Sequence, residues 1–250
     1  IKMNIKKRFG LVGKNIAYSF SKAHFSKKFE KLALHNHSYE NFDLENIQDF
    51  PDIFTRDSAG LIGLNVTIPY KEKVAEYLDA IDEDAATIGA INTIKIEASG
   101  RKVGYNTDVY GFKNSLLPLL QAHHKKALIL GTGGASKAVA FAFDQLGISH
   151  VFVSRTPDLN QLSYKDLNAE LMEGYHILVN CSPLGTSPNT ALCPDIPYAS
   201  LTQKHLLYDL IYNPAETTFL RLGKAQGASI KNGLEMLEMQ AEKSWEIWNT

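Results

Sequence analysis

The feature that most constrains the fold is the segment 126–156, KALILGTGGASKAVAFAFDQLGISHVFVSRT. It begins with a short aliphatic run, turns at closely spaced glycines and continues into a stretch of small and apolar residues that ends at Gly147. A second aliphatic run, HVFVS, follows directly. A strand, a glycine turn, a helix and a second strand in this order predict a βαβ unit with both strands parallel in one sheet.

The glycines of the turn have the spacing of a dinucleotide-binding loop. Gly131 permits a tight turn, Gly133 lets the backbone approach a pyrophosphate, and the helix that begins near Gly134 directs its first N–H groups at the anion. Ser136 stands where the fingerprint has its third glycine, and it is small enough for close helix packing. An ordinary turn is the alternative, but the surrounding strand, helix and strand favour a nucleotide site.

The end of the second strand indicates which dinucleotide is bound. NAD-binding units place Asp or Glu about 20 residues after the turn, where it bonds the ribose hydroxyls. Here the segment VFVSRT has no carboxylate and instead contains Arg155. Because a guanidinium pairs with phosphate and a carboxylate repels it, we expect NADP. A solvated surface arginine is the alternative.

Length and composition favour two domains and a small-molecule substrate. A chain of 250 residues can form two domains, and its formal net charge of −1 gives no long-range attraction to nucleic acid or to an anionic membrane. Cys181 and Cys193 lack the spacing of a disulfide framework or a zinc site, which suits a reducing cytoplasm. We therefore expect no metal, no nucleic acid and no membrane partner.

The first hundred residues predict a second α/β sheet. SKAHFSKKFEKLAL and YKEKVAEYLDA have helical spacing, and AGLIGLNVTI is typical of a buried strand. INTIKIEASGRKVGYNTD predicts a hairpin that turns at Ser99-Gly100. We expect a mostly parallel sheet with this hairpin at its edge, and a final amphipathic helix in GLEMLEMQAEKSWEIWN.

Polar residues gather where strands of this first sheet are expected to end. Open α/β sheets bind ligands at the carboxyl ends of their strands, and hydroxyl, amide, amine and carboxylate groups together can bind a small polyhydroxylated acid without a metal. Lys71 and Asp108 are the candidates for proton transfer, with a solvated lysine and a helix N-cap as the alternatives. The full set is Ser19, Ser21, Asn65, Thr67, Lys71, Asn92 and Asp108.

Together these motifs resemble the shikimate dehydrogenase family over nearly the whole chain. Nine segments carry the resemblance in order: SFS (19–21), NVTIPYK (65–71), GAINT (89–93), NTD (106–108), GTGGASKA (131–138), SRT (154–156), NCSPLG (180–185), DLIYNPAETTFL (209–220) and NGLEMLEMQA (232–241). The resemblance implies an enzyme that reversibly reduces 3-dehydroshikimate to shikimate with NADPH in aromatic biosynthesis.

The resemblance also implies roles for individual residues. Lys71 and Asp108 would form the proton-transfer pair. The substrate carboxylate would be held by Ser19, Ser21 and Thr67, and the ring hydroxyls by Asn65, Asn92, Asp108 and Gln240, with Tyr212 near the substrate and the nicotinamide. Cofactor contacts would come from Gly131, Gly133, Gly134, Ala135, Ser154, Arg155, Thr156, Ser182, Ile211 and Gly233.

The family architecture implies a discontinuous substrate-binding domain, formed by residues 1–107 and 233–250, because the last helix returns to the first domain. A Rossmann-type NADP-binding domain would comprise residues 108–232. We expect a monomer or a homodimer.

The sequence departs from the family pattern after the second strand. Ser154 replaces an asparagine, and Leu159 occupies the place of a second basic residue, although Arg155 remains and keeps NADP as the expected cofactor. Ser21, where a threonine is the other option, resembles the shikimate-specific branch. A quinate/shikimate dehydrogenase that also uses NAD, and a catalytically silent cofactor-binding sensor, remain alternatives.

Overall fold

The computed structural model describes residues 6–17, 19–56 and 58–250, except for the side chain of Arg56. The chain divides into two compact units. The first comprises the described residues up to Thr107 together with Ala241–Thr250, and the second comprises Asp108–Gln240. Each unit has its own six-stranded sheet. The two-domain α/β fold class predicted from the sequence is confirmed.

The first unit carries a mixed sheet. In chain order its elements are β1 (Lys7–Gly13), α1 (Phe20–Lys31), β2 (His37–Asp43), α2 (Asp52–Arg56), β3 (Leu61–Val66), β4 (Ala80–Ile81), α3 (Glu83–Ile88), β5 (Thr93–Ile96) and β6 (Lys102–Tyr105). The strand order is β2-β1-β3-β5-β6-β4. β1 pairs in parallel with both β2 and β3, whereas β5 pairs antiparallel with β3 and β6. β5 and β6 form the predicted hairpin, but β4 pairs with β6 on its outer side. The prediction that the hairpin lies at the edge of the sheet is therefore wrong.

The segment 70–80 also differs from the sequence prediction of a helix. It forms a turn at Lys71, a short 3-10 helix at Val74–Tyr77 and then β4. The carbonyl of Lys71 accepts the N–H of Ile91 at 2.7 Å, which removes the acceptor that an α-helix would need at this position. A long-range backbone hydrogen bond therefore overrides the local helical spacing.

The second unit carries a fully parallel sheet. Its elements are α4 (Asp108–Leu116), β7 (Lys126–Leu130), α5 (Gly134–Leu146), β8 (Ser149–Ser154), β9 (Leu162–Ser163), α6 (Ala169–Gly174), β10 (Ile177–Asn180), β11 (Leu206–Asp209), α7 (Thr218–Ala225) and β12 (Ser229–Lys231). The strand order is β12-β11-β10-β7-β8-β9. This is the doubly wound order of dinucleotide-binding folds, in which the chain reverses direction across the sheet between β7 and β10.

The central strands of this sheet are buried on both faces. Leu128, Leu178 and Leu207 occupy equivalent positions in β7, β10 and β11 and are fully buried. Such burial explains why these strands appear in the sequence as continuous apolar runs. Ala138 and Ala142 of α5 are also fully buried, and small side chains let the helix pack closely on the sheet.

The last helix, α8 (Leu234–Asn249), runs from the second unit into the first. Its Trp248 is buried, and the indole N–H donates to the carbonyl of Ile94 at 3.0 Å. A Cβ at Gly63 in β3 would overlap the Trp248 ring, so glycine at this position makes room for the indole. The end of the chain is thus part of the core of the first unit.

Four histidines meet at the amino end of the second sheet, because His123 and His124 precede β7 while His176 and His205 precede β10 and β11. The His123 ring centroid lies 4.3 Å from that of His124 and 5.2 Å from that of His176, and the His176 centroid lies 5.3 Å from that of His205. The four residues are far apart in sequence, and they come together because parallel strands begin at the same edge.

His124 and His205 are buried in the neutral form. Backbone N–H groups of Gln121 and Thr202 donate to their Nδ1 atoms at 3.0 and 2.9 Å. Carbonyls of Lys204 and Met172 face their Nε2 atoms at 3.1 and 3.0 Å. A proton added at Nδ1 would oppose the backbone N–H. Burial lowers the pKa of both rings, and the neighbouring histidines lower it further.

We expect the second unit to lose stability in mild acid. Above the unfolded histidine pKa of about 6.5 both states are neutral, whereas below it the unfolded chain takes up protons that folded His205 and His124 resist. Thermal unfolding followed between about pH 7.5 and 5.5 should show the melting temperature falling as pH falls. His205→Ala should lower the melting temperature at neutral pH but reduce its dependence on pH. The exposed His35→Ala serves as the control, and parallel curves for all three proteins would contradict the prediction.

Candidate functional site

The first group of predicted site residues lies at the carboxyl edge of the first sheet. Val12 of β1 stands beside Val66 of β3, so the segments after both strands leave the sheet together. Thr67, directly after β3, donates its N–H to the carbonyl of Val12 at 2.9 Å, and a Cβ at Gly13 would overlap its methyl group. The structure therefore places Thr67 next to the loop that follows β1.

The two predicted serines follow that loop at the start of α1. Ser19 is the N-cap, and its hydroxyl accepts the N–H of Lys22 at 3.3 Å. Ser21, in the first turn, is buried. Burial raises the pKa of the Tyr39 phenol and the Ser21 hydroxyl opposes that rise, so the phenol remains a neutral hydrogen-bond donor.

Asn65 is held by a buried polar network. The Tyr39 hydroxyl donates to Asn65 Oδ1 at 2.8 Å, and Asn65 Nδ2 donates to Ser244 Oγ at 2.9 Å. Thr93 Oγ1 lies 2.7 Å from the same Ser244 oxygen. Since buried polar groups are costly when unpaired, these contacts give the Asn65 amide a defined orientation.

Asn92 belongs to the same network through Thr107. Its Oδ1 accepts the Thr107 N–H at 2.7 Å, and its Nδ2 donates to Thr107 Oγ1 at 3.0 Å. Thr107 Oγ1 is 3.2 Å from Ser244 Oγ. Sequence reasoning missed Tyr39, Thr93, Thr107 and Ser244. Thr93 and Thr107 could have been identified from the sequence, because they lie in the motifs GAINT and NTD.

Lys71 is half-buried in the turn after β3, where the hydrogen bond from Ile91 fixes its backbone. Asp108 is the first residue of α4 in the second unit and is buried. Gln240 of α8 is also buried, and its Nε2 donates to the carbonyl of Leu237 at 2.9 Å. A Cβ at Gly111 would overlap the α8 backbone, so α4 and α8 pack closely one turn away from Asp108. The pairing of Lys71 with Asp108 stays a prediction.

In the second unit, the glycine turn after β7 has a backbone that needs glycine at its first position. Gly131 has φ = +112°, a left-handed value that other residues rarely adopt. Its N–H donates to the carbonyl of Val153 at 2.9 Å, and a Cβ would stand 3.3 Å from the Ser182 nitrogen. The turn therefore lies against the loop that follows β10.

Gly133, by contrast, is not required by the fold. Its φ of −75° suits any residue, and among the described residues no atom lies within 4 Å of the Cβ that a side chain would add. The backbone at the start of α5 consequently faces open space next to the helix N–H groups of Gly134 and Ala135. A pyrophosphate fits such a cradle. Ser136 is fully buried and donates to the Gly133 carbonyl at 2.6 Å, so it replaces the third glycine without disruption.

The residues predicted to contact the adenosine end follow β8. Ser154 ends that strand, and its hydroxyl accepts the Thr156 N–H at 3.2 Å. Arg155 is exposed beside it, at the strand neighbouring the glycine turn. Leu159 is fully exposed in the following loop. One cationic side chain therefore stands at this strand end, next to an exposed apolar one.

The loops after β10 and β11 form the other side of this sheet edge. Leu210, Ile211 and Tyr212 line a pocket of about 300 Å³ together with Thr186, Ser187 and Asn213. Gly233 donates its N–H to the Ile211 carbonyl at 3.1 Å, and a Cβ there would overlap the Leu210 carbonyl. The structure thus brings predicted cofactor residues from two segments, Ile211 and Gly233, into contact.

Sequence reasoning missed the buried pair that underlies these loops. Asn180 ends β10 and Asp209 ends β11, and Asn180 Nδ2 donates to Asp209 Oδ1 at 3.0 Å. Burial raises the pKa of Asp209 to about 6 against the opposing effect of its hydrogen bonds. Both residues stand in motifs already noted, NCSPLG and DLIY, but their contact depends on the parallel pairing of β10 with β11.

A metal-ligand cluster and a membrane-spanning helix are both absent from the described part of the chain. Residues 6–17, 19–56 and 58–250 contain no group of three or more His, Cys, Asp or Glu side chains placed to hold a metal ion. No helix within those residues has the length and apolar character needed to cross a membrane.

Comparisons with known proteins agree with the sequence and the geometry. The family model for the shikimate dehydrogenase substrate binding domain matches residues 11–94. Relatives named shikimate dehydrogenase (NADP(+)) from Carboxydothermus hydrogenoformans and Methanococcus maripaludis are 37% and 36% identical, over 96% and 97% of this chain and 90% and 91% of theirs. A crystal structure of shikimate 5-dehydrogenase from Thermus thermophilus in complex with NADP(H) and shikimate superimposes with a TM-score of 0.85 at 31% identity, covering 97% of this chain and 93% of that one. This chain belongs to the shikimate dehydrogenase family.

Proposed function

We propose that this protein is an NADP-dependent oxidoreductase that reversibly reduces 3-dehydroshikimate to shikimate in the biosynthesis of chorismate and the aromatic amino acids. The observation that carries the proposal is the open cradle at Gly133, where a glycine that the fold does not need leaves the α5 N-terminus accessible to a pyrophosphate. The relatives carry the same activity in their names.

The cofactor would lie along the carboxyl edge of the second sheet. The N–H groups of the glycine turn would bind the pyrophosphate, and Arg155 would pair with the 2′-phosphate. Ile211 and Gly233 would contact the nicotinamide end. The complete set is Gly131, Gly133, Gly134, Ala135, Ser154, Arg155, Thr156, Ser182, Ile211 and Gly233. Bound NADPH supplies the hydride.

The substrate would bind at the carboxyl edge of the first sheet. Hydroxyl groups of Ser19, Ser21 and Thr67 would hold the carboxylate. Amide groups of Asn65, Asn92 and Gln240, with Asp108, would bond the ring hydroxyls, and Tyr212 would lie beside the ring. The buried network around Asn65 supports this role, because amides held in one orientation bind a hydroxyl without losing further side-chain freedom.

Lys71 and Asp108 would handle the proton. Reduction of the carbonyl adds hydride to carbon and requires a proton on oxygen, which the Lys71 ammonium donates while Asp108 holds the lysine and the substrate hydroxyl in place. In the reverse direction Lys71 receives that proton. The hydrogen bond between Ile91 and the Lys71 carbonyl supports a positioned side chain.

We further propose that residues 1–107 and 233–250 bind the substrate and that residues 108–232 bind NADP. The assignment of the first sheet is supported by the family match over 11–94. The division between the compact units falls within α8, after Gln240. A cytoplasmic location is supported by the two free cysteines, and the choice between monomer and homodimer stays a prediction.

A quinate/shikimate dehydrogenase that also accepts NAD is the second candidate. Leu159 is fully exposed in the place of a second basic residue. This favours the second candidate, because Arg155 is then the one cation among the described residues at this strand end that could bind the 2′-phosphate. Steady-state kinetics with shikimate and quinate, each with NADP and NAD, separate the two candidates. A higher kcat/KM for quinate or for NAD would favour the second.

Replacing Lys71 should stop turnover without preventing binding. Lys71→Ala is expected to lower kcat by roughly 10²-fold or more, since a positioned acid or base contributes on that scale, with a smaller change in shikimate affinity. The measurement is the rate of nicotinamide absorbance change with shikimate and NADP. Lys73→Ala, an exposed lysine of the same turn, is the matched control. An inert wild type would refute the proposed function, and equal rates for the two variants would refute the role of Lys71.

Arg155 should determine the preference for NADP. Arg155→Ala is expected to lower kcat/KM for NADP by roughly tenfold or more, the scale of a charged hydrogen bond, and to leave that for NAD unchanged. Leu159→Arg should raise kcat/KM for NADP because it adds a second cation. Arg221→Ala, an exposed arginine of α7, is the control. A parallel loss with both cofactors would place the Arg155 contact away from the 2′-phosphate.

A further inference from the structure

Asp209 is a buried carboxylate at the carboxyl end of β11, with no exposed surface. Its Oδ1 accepts the N–H of Ile211 at 3.0 Å and the Nδ2 of Asn180 at 3.0 Å. Its Oδ2 accepts the hydroxyl of Thr217 at 2.6 Å, and Thr217 is the N-cap of α7. One carboxyl group therefore connects the loop after its own strand with the start of the next helix.

Asn180 extends these connections to the loop after β10. Its Oδ1 accepts both the N–H and the hydroxyl of Ser182, at 3.0 and 2.7 Å. Its Nδ2 also donates to the Leu184 carbonyl at 3.3 Å. The Asp209–Asn180 pair thus holds two neighbouring loops from below, one that contains Ser182 and one that contains Ile211.

These two loops lie at the carboxyl edge where the nicotinamide end of the cofactor is proposed to bind. The pocket of about 300 Å³ is lined by Ile211 and by Tyr212, the residue that follows the N–H bonded to Asp209. The turn at Gly131 lies against Ser182. A change in the Asp209 carboxyl would therefore reach the pocket through backbone hydrogen bonds.

We propose that Asp209 is a positioning residue for catalysis, which acts through Asn180 and Ile211 to fix both loops around the nicotinamide end of the site. This role rests on the proposed function. Asp209 itself does not reach the pocket surface, because it is fully buried.

The chemistry of the group supports a role beyond stability. Burial of an ionisable side chain is costly, and burial raises the pKa of Asp209 to about 6 despite three donors. An apolar side chain at this position would fill the core without that cost. What a carboxyl offers instead is acceptors on two oxygens, which bind Ile211 and Asn180 on one side and Thr217 on the other.

The test compares the two ends of the cofactor. Asp209→Ala removes all three hydrogen bonds and should lower kcat with shikimate and NADP by roughly 10²-fold, the scale of a misplacement of about 1 Å. Binding of adenosine 2′,5′-bisphosphate, which contains only the adenosine end of NADP, should be unchanged in calorimetry. Binding of whole NADP should weaken, because the nicotinamide end loses its ordered loops.

Two further variants separate positioning from folding. Asp209→Asn keeps an oxygen for Asn180 and Ile211 and turns its amide toward the Thr217 hydroxyl, so turnover should return to near the wild-type value. His205→Ala removes a buried group that bonds Thr202 and Met172 at the opposite end of β11, and it should lower the melting temperature while leaving kcat unchanged.

Each other outcome overturns the inference. If Asp209→Ala loses adenosine 2′,5′-bisphosphate binding as well, or if His205→Ala loses kcat to the same extent, Asp209 acts on the stability of the whole unit. If Asp209→Ala keeps wild-type kcat, the loops need no such support. A wild type that neither binds NADP nor oxidises shikimate would refute the proposed function itself. That result is seen in the wild type alone and is therefore distinct from any effect of the Asp209 and His205 variants.

Discussion

The reversal of chain direction between β7 and β10 is the constraint on which the second unit depends. From β7 the chain adds β8 and β9 towards one edge of the sheet, and it then returns to add β10, β11 and β12 towards the other edge. The turn after β7 and the loop after β10 therefore leave the sheet on opposite faces. Open α/β sheets bind ligands in the crevice at such a point. Gly131 lies there against Ser182, in a left-handed conformation that favours glycine.

The first unit meets a different requirement, which is to present polar groups from within a core. Asn65 and Asn92 lie on strand ends that are almost fully buried, where an amide without partners would cost about 1–3 kcal/mol. Ser244 of α8 bonds Asn65 directly and lies within hydrogen-bonding distance of Thr93. The return of the last helix therefore completes the network, and the orientation of the amides depends on the folding of the end of the chain.

Much of this arrangement could be predicted because it depends on local spacing. The glycine turn, the small residues of α5 and the hairpin at Ser99-Gly100 are all specified by residues close together in the chain. The helix predicted for YKEKVAEYLDA failed because Ile91, twenty positions beyond Lys71, takes the carbonyl that the helix would need. Helical spacing is a local signal and contains no information about such a competitor.

The sequence could not predict the Asp209–Asn180 pair, the histidine cluster or the network around Asn65 for the same reason. Each joins residues that are brought together by the pairing of strands, and nothing in the spacing of His124 and His205 identifies which strands are neighbours. Composition offers no substitute, because a histidine or an asparagine before or after a strand is ordinary. Single motifs located the sheet edges, and only the structure shows which side chains meet there.

The two ends of β11 illustrate how one strand can serve stability and function separately. At its amino end, His205 bonds backbone groups of Thr202 in the preceding loop and of Met172 in α6, at the opposite end of β11 from the proposed site. At its carboxyl end, Asp209 bonds Ile211, which lines the pocket, and Thr217, which caps the next helix. The apolar residues between them are fully buried and hold the strand rigid. A site built on loops requires rigid support beneath those loops for precise geometry, so the buried polar groups at the carboxyl end are better explained by the site than by the core.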